Sequence, residues 1–350
     1  MTWLVTGGAG YIGAHVVRAL RAEGLPVVVF DDLSTGAKER VPDDVPLIAG
    51  SVLDGELLTE VLREHDVAGV VHMAGKKRVD ESVAEPTFYY RENVEGVRSL
   101  LDAMAAADVR RLVFSSSAAV YGMPEQEGLV REDVDCRPLS PYGQTKLAGE
   151  WMVRAQGLAR GLAFANLRYF NVAGAAEPAL GDQGAFNLIP MVFARLDAGR
   201  PPLVFGTDYP TPDGTCVRDY IHVADLATAH AAAARRLAGD PQAALTLNVG
   251  RGAGVSVLEV LTAVAAATGL DTTPEAAARR PGDAPSVVAA ADRIAAELGW
   301  HAEHDLAAMV DSAWAAWQAR RSSGAAGATG AAGAASAAGS AGSPNPSGSP

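Results

Sequence analysis

A tyrosine and a lysine four residues apart, Tyr142 and Lys146, stand in the run Ser140-Pro141-Tyr142-Gly143-Gln144-Thr145-Lys146 and offer one site a phenol and an ammonium. Ser140 suits an N-cap and Pro141 the first helical position, where its missing N–H costs nothing, so the run predicts the first turns of a helix. Residues i and i+4 share a helix face, which points both side chains the same way. A free tyrosine with a pKa near ~10 is a poor base at neutral pH, and lowering it by about three units means roughly 4 kcal/mol of preference for the phenolate. A neighbouring fixed cation supplies much of that, so the pair reads as a base and its activator. The same spacing arises by chance on exposed amphipathic helices, and the rest of the chain must supply the context.

Thr2 to Thr6 is a short apolar run that breaks into Gly7-Gly8-Ala9-Gly10-Tyr11-Ile12-Gly13 and continues as a helical pattern through Val16, Val17 and Leu20. This is strand, glycine turn, helix. Glycines at 7, 10 and 13 let the backbone turn tightly and approach a pyrophosphate, which then rests on the N–H groups and positive dipole end of the helix. A glycine spacing alone also fits a plain βαβ packing turn. Here a second strand, Pro26 to Phe30, ends at Asp31, about 20 residues on, where an acid accepts the hydroxyls of an adenosine ribose. The acid favours NAD over NADP, because it would repel a 2′-phosphate.

Pro46 to Ala49, Val67 to Met73 and Arg111 to Ser115 read as further strands, separated by helical stretches such as Asn93 to Met104. The alternation predicts an α/β fold with a doubly wound parallel sheet of the Rossmann type, whose ligands bind beyond the carboxyl ends of the strands. Three groups fall there: His72 to Lys77, Ser115-Ser116-Ser117, and Arg168-Tyr169-Phe170-Asn171. His72 reads as a packed structural histidine rather than a base. Ser117, at a strand terminus ahead of the tyrosine helix, reads as a substrate contact. After Asn171 the alternation becomes irregular, which predicts a smaller C-terminal lobe. A helix through Ala224 to Leu237 and a strand at Leu245 to Val249 return toward the main sheet. The basic loop Arg279-Arg280-Pro281-Gly282-Asp283 suits a phosphate or is a solvated turn. Glu297 to Trp300 and the helix holding Trp314 and Trp317 read as packing elements. The boundaries expected are therefore 1–170 for the dinucleotide domain, with elements from about 218–255, and 171–321 for the second lobe.

With 350 residues, nearly half of them apolar, the chain has ample material for a core. A net charge of −12 argues against a nucleic-acid surface and requires local basic residues or helix N-termini to meet any anionic ligand. The two cysteines, Cys136 and Cys216, lie far apart without metal-ligand spacing, so a disulfide framework and a metal site are not expected. No apolar run approaches membrane-spanning length and no basic leader precedes Trp3, so a cytoplasmic protein is expected. Residues 322–350 contain only Ala, Gly, Ser, Thr, Pro and Asn and read as a disordered tail, since they bury too little surface to offset their ordering entropy.

From Met1 to about Arg320 the chain resembles the extended short-chain dehydrogenase/reductase family and, within it, the UDP-glucose 4-epimerases. The markers are Thr6 to Gly13, Ser115 to Gly122, Ser140 to Lys146, Arg168 to Gly174, and Tyr209 to Thr215 leading to Arg218 and Val223. The resemblance implies that Tyr142 is the base, that Lys146 lowers its pKa and holds the nicotinamide ribose, and that Ser117 bonds the sugar 4-hydroxyl. It places NAD against Gly7, Gly10, Tyr11, Ile12, Gly13, Asp31, Asp32, Ser51, Val52, Met73, Ala74, Gly75, Lys77, Asn93, Tyr142, Lys146 and Phe170. It places a UDP-hexose against Ser117, Tyr142, Asn171, Asn187, Leu188, Phe205, Arg218, Arg280, Asp283 and Val287. The two arginines would pair with the diphosphate in an otherwise acidic protein. A homodimer through the helices near Asn93 to Met104 and Leu147 to Ala155 is likewise implied.

Some positions depart from the family pattern. Ser51 stands where an aspartate usually contacts adenine, and Lys76 adds a second lysine where relatives often carry an apolar residue. Val287 falls where some members carry a bulky tyrosine, leaving room for a 2-acetamido group and predicting some activity on UDP-N-acetylglucosamine. A related 4,6-dehydratase would place an acidic pair after the hydroxyl residue, whereas Ser117 is followed by Ala118 and Ala119. A non-catalytic NAD-binding sensor would keep the glycines and Asp31 but has no need of Tyr142, Lys146 and Ser117 together.

Overall fold

The computed structural model describes residues 1–124, 128–184, 186–280 and 282–337, with side chains to residue 322. The chain opens with β1 (Thr2–Thr6), the glycine turn and α1 (Tyr11–Ala22), then β2 (Val27–Asp31), β3 (Leu47–Ala49), α2 (Gly55–Glu64) and β4 (Val67–His72). Two short helices, α3 (Val79–Ala84) and α4 (Pro86–Tyr89), lead through a π-helical turn, Tyr90–Glu95, into α5 (Gly96–Ala106). Then come β5 (Arg111–Ser117), α6 (Pro141–Arg160) and β6 (Ala163–Tyr169). The remainder is β7 (Asn171–Ala173), α7 (Leu188–Asp197), β8 (Leu203–Phe205), β9 (Val217–His222), α8 (Val223–Gly239) and β10 (Ala244–Val249). It ends with β11 (Gly254–Ser256), α9 (Val257–Thr268), β12 (Glu275–Ala277), β13 (Ser286–Val287), α10 (Asp292–Leu298) and α11 (Leu306–Ala337).

Seven strands form one parallel sheet in the order β10-β6-β5-β4-β1-β2-β3. Its strands read as unbroken apolar runs because both faces are covered. Side chains alternate across a strand, so Trp3 and Val5 enter a core with Val16 of α1 and Leu226 of α8, while Leu4 joins Leu58 of α2 and Leu100 of α5 on the other face. From β1 the chain builds outward to β2 and β3, then returns to β4 and builds the other way. The direction of winding thus switches between β1 and β4, and a crevice opens beyond their carboxyl ends.

Strand β9 organises a second, four-stranded sheet, pairing antiparallel with β11 and parallel with β13 and β7, while β8 and β12 pair on their own. The register sets Val287 opposite Arg218 and Asn171 opposite Tyr220. These short strands pack on a separate apolar cluster that includes Phe193 of α7, Val260 of α9 and Trp317 of α11. The tryptophans are packing elements, as expected: Trp317 Nε1 donates to Asp197 at 2.7 Å and Trp300 Nε1 to the Thr228 hydroxyl at 2.9 Å.

Three expectations change. Strand β5 runs on to Ser117 rather than stopping at Ser115, because the serines stay paired with Leu167, Arg168 and Tyr169 of β6. Helix α5 starts at Gly96, and Asn93 lies in the π-helical turn before it. The disorder expected from Ser322 is corrected as far as Ala337, because α11 continues that far, through a run rich in alanine, the strongest helix former. Residues 338–350 lie outside the described residues.

Buried histidines make the fold acid-sensitive. Burial pulls His72 down to about 3, and His230 and His15 to about 4. His72 Nδ1 lies 2.8 Å from the Thr6 hydroxyl, as suits a packed structural histidine. An unfolded histidine titrates near ~6.5, so between these values the unfolded chain binds more protons than the folded one. Stability is then full above pH ~6.5 and falls by up to about 1.4 kcal/mol per pH unit for each histidine as the pH drops toward 4. Urea midpoints measured across that range should fall steeply; a flat profile would contradict burial of these rings in neutral form.

Candidate active site

Helix α6 begins as its sequence dictates: the Ser140 hydroxyl accepts the Gly143 N–H at 3.2 Å, and Gly161 closes the helix in the left-handed region. Gly143 lets the helix press on the turn after β5, since a Cβ there would lie 2.6 Å from the Ala119 carbonyl oxygen. That contact brings Tyr142 to Ser117, whose hydroxyl also accepts the Ala119 N–H at 3.2 Å. Tyr142 and Lys146 are both buried on the same helix face, with the ammonium 6.0 Å from the phenol ring centre.

Electrostatics in the protein alone differ from the expectation that Lys146 depresses the phenol. Burial pushes Tyr142 above its ordinary value, and the counteracting influence is a hydrogen bond with Ser117. Lys146 donates to the Ser115 carbonyl at 2.9 Å, and burial pulls its own pKa to about 8. Desolvation therefore outweighs the neighbouring cation.

The glycine turn meets its geometric requirement. Gly7 has φ +70°, and a Cβ on it would lie 2.7 Å from the Ala74 backbone nitrogen; a Cβ on Gly13 would lie 2.0 Å from the Gly7 oxygen. The glycines thus let the turn close tightly on itself and on the backbone after β4, and Gly7, Gly10 and Gly13 line the cleft at the N-terminus of α1. Asp31 sits at the cleft's edge, accepting the Ala9 N–H at 2.9 Å and the Leu33 N–H at 2.8 Å. Every residue expected to touch the dinucleotide lines this cleft except Asn93 and Phe170. Buried Asn93 instead grips the Lys76 backbone from both sides, at 2.7 and 3.0 Å, and donates to the Thr145 hydroxyl at 3.0 Å. It positions the turn after β4 rather than forming the wall. Phe170 packs among Val120, Tyr121 and Leu147 and faces the neighbouring cavity.

That second cavity is lined by Ser117, Tyr142, Asn171, Asn187, Leu188, Arg218, Asp283 and Val287. Two expected members are outside its wall: the Arg280 guanidinium lies 3.8 Å over the Phe205 ring, and this cation–π pairing turns the two onto each other. Arg218 is held by the Ala284 carbonyl at 2.7 Å and stands 3.4 Å from the Asp283 carboxylate. Tyr11, Ile12, Lys77, Tyr142 and Tyr169 line both the cleft and the cavity, so the phenol of Tyr142 stands where the two meet.

Sequence reasoning set Tyr169 among the strand-end groups without giving it a role; burial and the nearby Tyr142 raise its pKa far above the usual range. The signal was its place at the end of a strand one residue before Phe170. It missed, too, the tie between lobes in which the Tyr11 hydroxyl donates to the Gly174 carbonyl at 2.6 Å. Beneath Ser117, Arg168 makes a fully buried bidentate pair with Glu150 at 2.9 and 2.6 Å, and Glu150 also accepts from the Ser116 hydroxyl.

The chain is 50% identical over 311 residues to a UDP-glucose 4-epimerase of Azospirillum brasilense, covering 86% of this chain and 87% of that protein. Among solved structures it is similar to the UDP-glucose-4-epimerase of Stenotrophomonas maltophila with bound NAD and formylated UDP-arabinopyranose: TM-score 0.88, 38% identity, 92% of this chain and 99% of that one. It is also similar to the UDP-Glc/GlcNAc 4-epimerase of Campylobacter jejuni, with TM-score 0.81, 33% identity, and coverage of 91% and 99%. Residues 3–250 match the model of the NAD dependent epimerase/dehydratase family, and the chain belongs to that family.

Proposed function

We propose that this chain is an isomerase, a UDP-glucose 4-epimerase that interconverts UDP-galactose and UDP-glucose with NAD held in the cleft. The observation that carries the reading is the position of Tyr142 at the junction of the glycine-turn cleft and the second cavity. NAD, when bound, supplies the acceptor that takes the hydride from C4 of the sugar and gives it back. Gly7, Gly10 and Gly13, at the N-terminus of α1, would hold its pyrophosphate, and Asp31 would accept the hydroxyls of its adenosine ribose. Tyr142 removes the proton from the sugar 4-hydroxyl, with Ser117 orienting that oxygen, and later returns the proton to O4 once the turned sugar presents its other face. Arg218 holds the diphosphate while the 4-keto sugar turns about it.

The two residues that follow Ser117, Ala118 and Ala119, supply no acid to protonate a leaving hydroxyl, which disfavours the dehydratase reading. Incubation of the purified protein with UDP-galactose, without added NAD, should yield UDP-glucose; a dehydrated 4-keto product or unchanged substrate would reject the assignment. Val287 lines the cavity beside Arg218, and its small side chain would leave room for a 2-acetamido group. Val287→Tyr should cut turnover of UDP-N-acetylgalactosamine relative to UDP-galactose by roughly tenfold, the scale of ~1–3 kcal/mol for a misfitting pocket. An unchanged ratio of rates would remove this account of sugar range.

The protein acts as a homodimer joined through α5 and α6; support comes from Trp151 and Leu158 of α6, 62% and 87% exposed in the single chain. Among the described residues no helix is long and apolar enough to cross a membrane. A cytoplasmic location fits a nucleotide-sugar substrate and the two free cysteines, Cys136 and Cys216.

A further inference from the structure

A side-chain bridge crosses the dinucleotide cleft. Lys76 stands on the turn after β4 and Ser34 on the turn after β2, and the ammonium donates to the Ser34 hydroxyl at 3.1 Å. In the sheet β4 and β2 flank β1, so a link between their turns passes over the turn that follows β1, the glycine turn itself. Both anchors are fixed. Asn93 holds the Lys76 N–H and carbonyl, at 2.7 and 3.0 Å, while Ser34 donates from its N–H and hydroxyl to Asp32 at 2.9 and 2.7 Å. The link between the anchors is a single hydrogen bond on the solvent side, which water replaces at little cost.

Charge gives the bridge a purpose. Asp31, Asp32 and Glu92 all line this cleft, so an entering pyrophosphate meets carboxylates. Lys146 is committed to the Ser115 carbonyl beneath the phenol, and Lys77 lies 5.8 Å over the Tyr11 ring at the junction with the second cavity. Lys76 is the lysine that already spans the glycine turn. Resting on the reading that this cleft takes a dinucleotide, we propose that Lys76 is a clasp: its ammonium leaves Ser34 for the entering pyrophosphate, straps it against the glycine turn, and sets how fast the cofactor leaves. An enzyme whose net reaction returns the hydride gains from such retention, because the cofactor need not exchange between turnovers.

The test is the release of nucleotide from the purified full-length protein, by exchange against excess NADH followed through energy transfer from the tryptophans, in wild type, Lys76→Met and Lys76→Arg. Lys76→Met should release about tenfold faster, the scale of one charge-assisted hydrogen bond, and carry less nucleotide through purification. Lys76→Arg should stay close to wild type, and added salt should speed release from wild type more than from the Met variant. Parallel titrations with NADPH, whose binding Asp31 should weaken in wild type and variant alike, should show no larger loss on Lys76→Met than titrations with NADH. Equal release rates in wild type and Lys76→Met, or a loss confined to NADPH, which would place the ammonium at the ribose 2′ position, would overturn the clasp. A wild type that takes up no dinucleotide would remove the reading beneath it, whereas uptake with equal release would remove the clasp alone.

Discussion

Tyr142→Phe is expected to lower kcat by about 10²–10⁴-fold, the usual contribution of a positioned acid–base group, while UDP and NAD affinities stay close to wild type. The ring of Tyr142 is buried and its replacement keeps that packing, so the loss is confined to the proton-transferring oxygen. Arg218, Asn171 and the glycine turn, which are proposed to hold the ligands, lie elsewhere in the two cavities. Isothermal titration with UDP beside steady-state rates on UDP-galactose would separate the two effects. A variant that retains more than about a tenth of wild-type turnover would mean another group carries the proton, since one removed general base falls outside that range. Because burial holds the phenol above its ordinary value, activity should also rise with pH wherever the phenolate fraction limits the rate.

Arg168→Met is expected to cost about 3–5 kcal/mol of stability, the penalty for leaving one charge of a buried pair uncompensated. Glu150 and Arg168 are 1% and 4% exposed, and the guanidinium also donates to the Tyr121 hydroxyl and the Glu132 carbonyl, each at 3.1 Å. Tyr121 in turn donates to Asn248 at 2.6 Å, so the loss spreads across the ends of β5, β6 and β10. Adding Glu150→Leu should recover much of the loss, because an apolar pair of similar volume replaces a salt bridge more cheaply than a broken one. Chemical denaturation of the two single variants and the double variant would measure this, and strict additivity would contradict the coupling.

Local chemistry made much of this legible. The cap at Ser140, the glycine turn and the apolar strands are written in adjacent residues, and their positions followed within a residue or two. Long-range register was not legible. Nothing near Val287 says that it pairs beside Arg218, or near Asn171 that it lies against Tyr220. The role of Asn93 hid in a π-helical turn that breaks the helical pattern, and the stacking of Arg280 on Phe205 is a choice between two acceptable partners made by loop geometry. The phenol's surroundings were legible only in part for a related reason. Spacing reveals that a cation is near, whereas burial, which decides the balance here, is a property of the whole fold.

The large sheet is completed by its last strand to be made. Strand β10 pairs with β6 from Ala244↔Phe164 to Val249↔Tyr169, after the chain has left to build β7, β8 and β9. Until residue 249 leaves the ribosome, β6 presents an open row of N–H and C=O groups, a template for the edges of neighbouring nascent chains. A gene truncated before Ala244 would therefore encode an aggregating fragment rather than a smaller working protein.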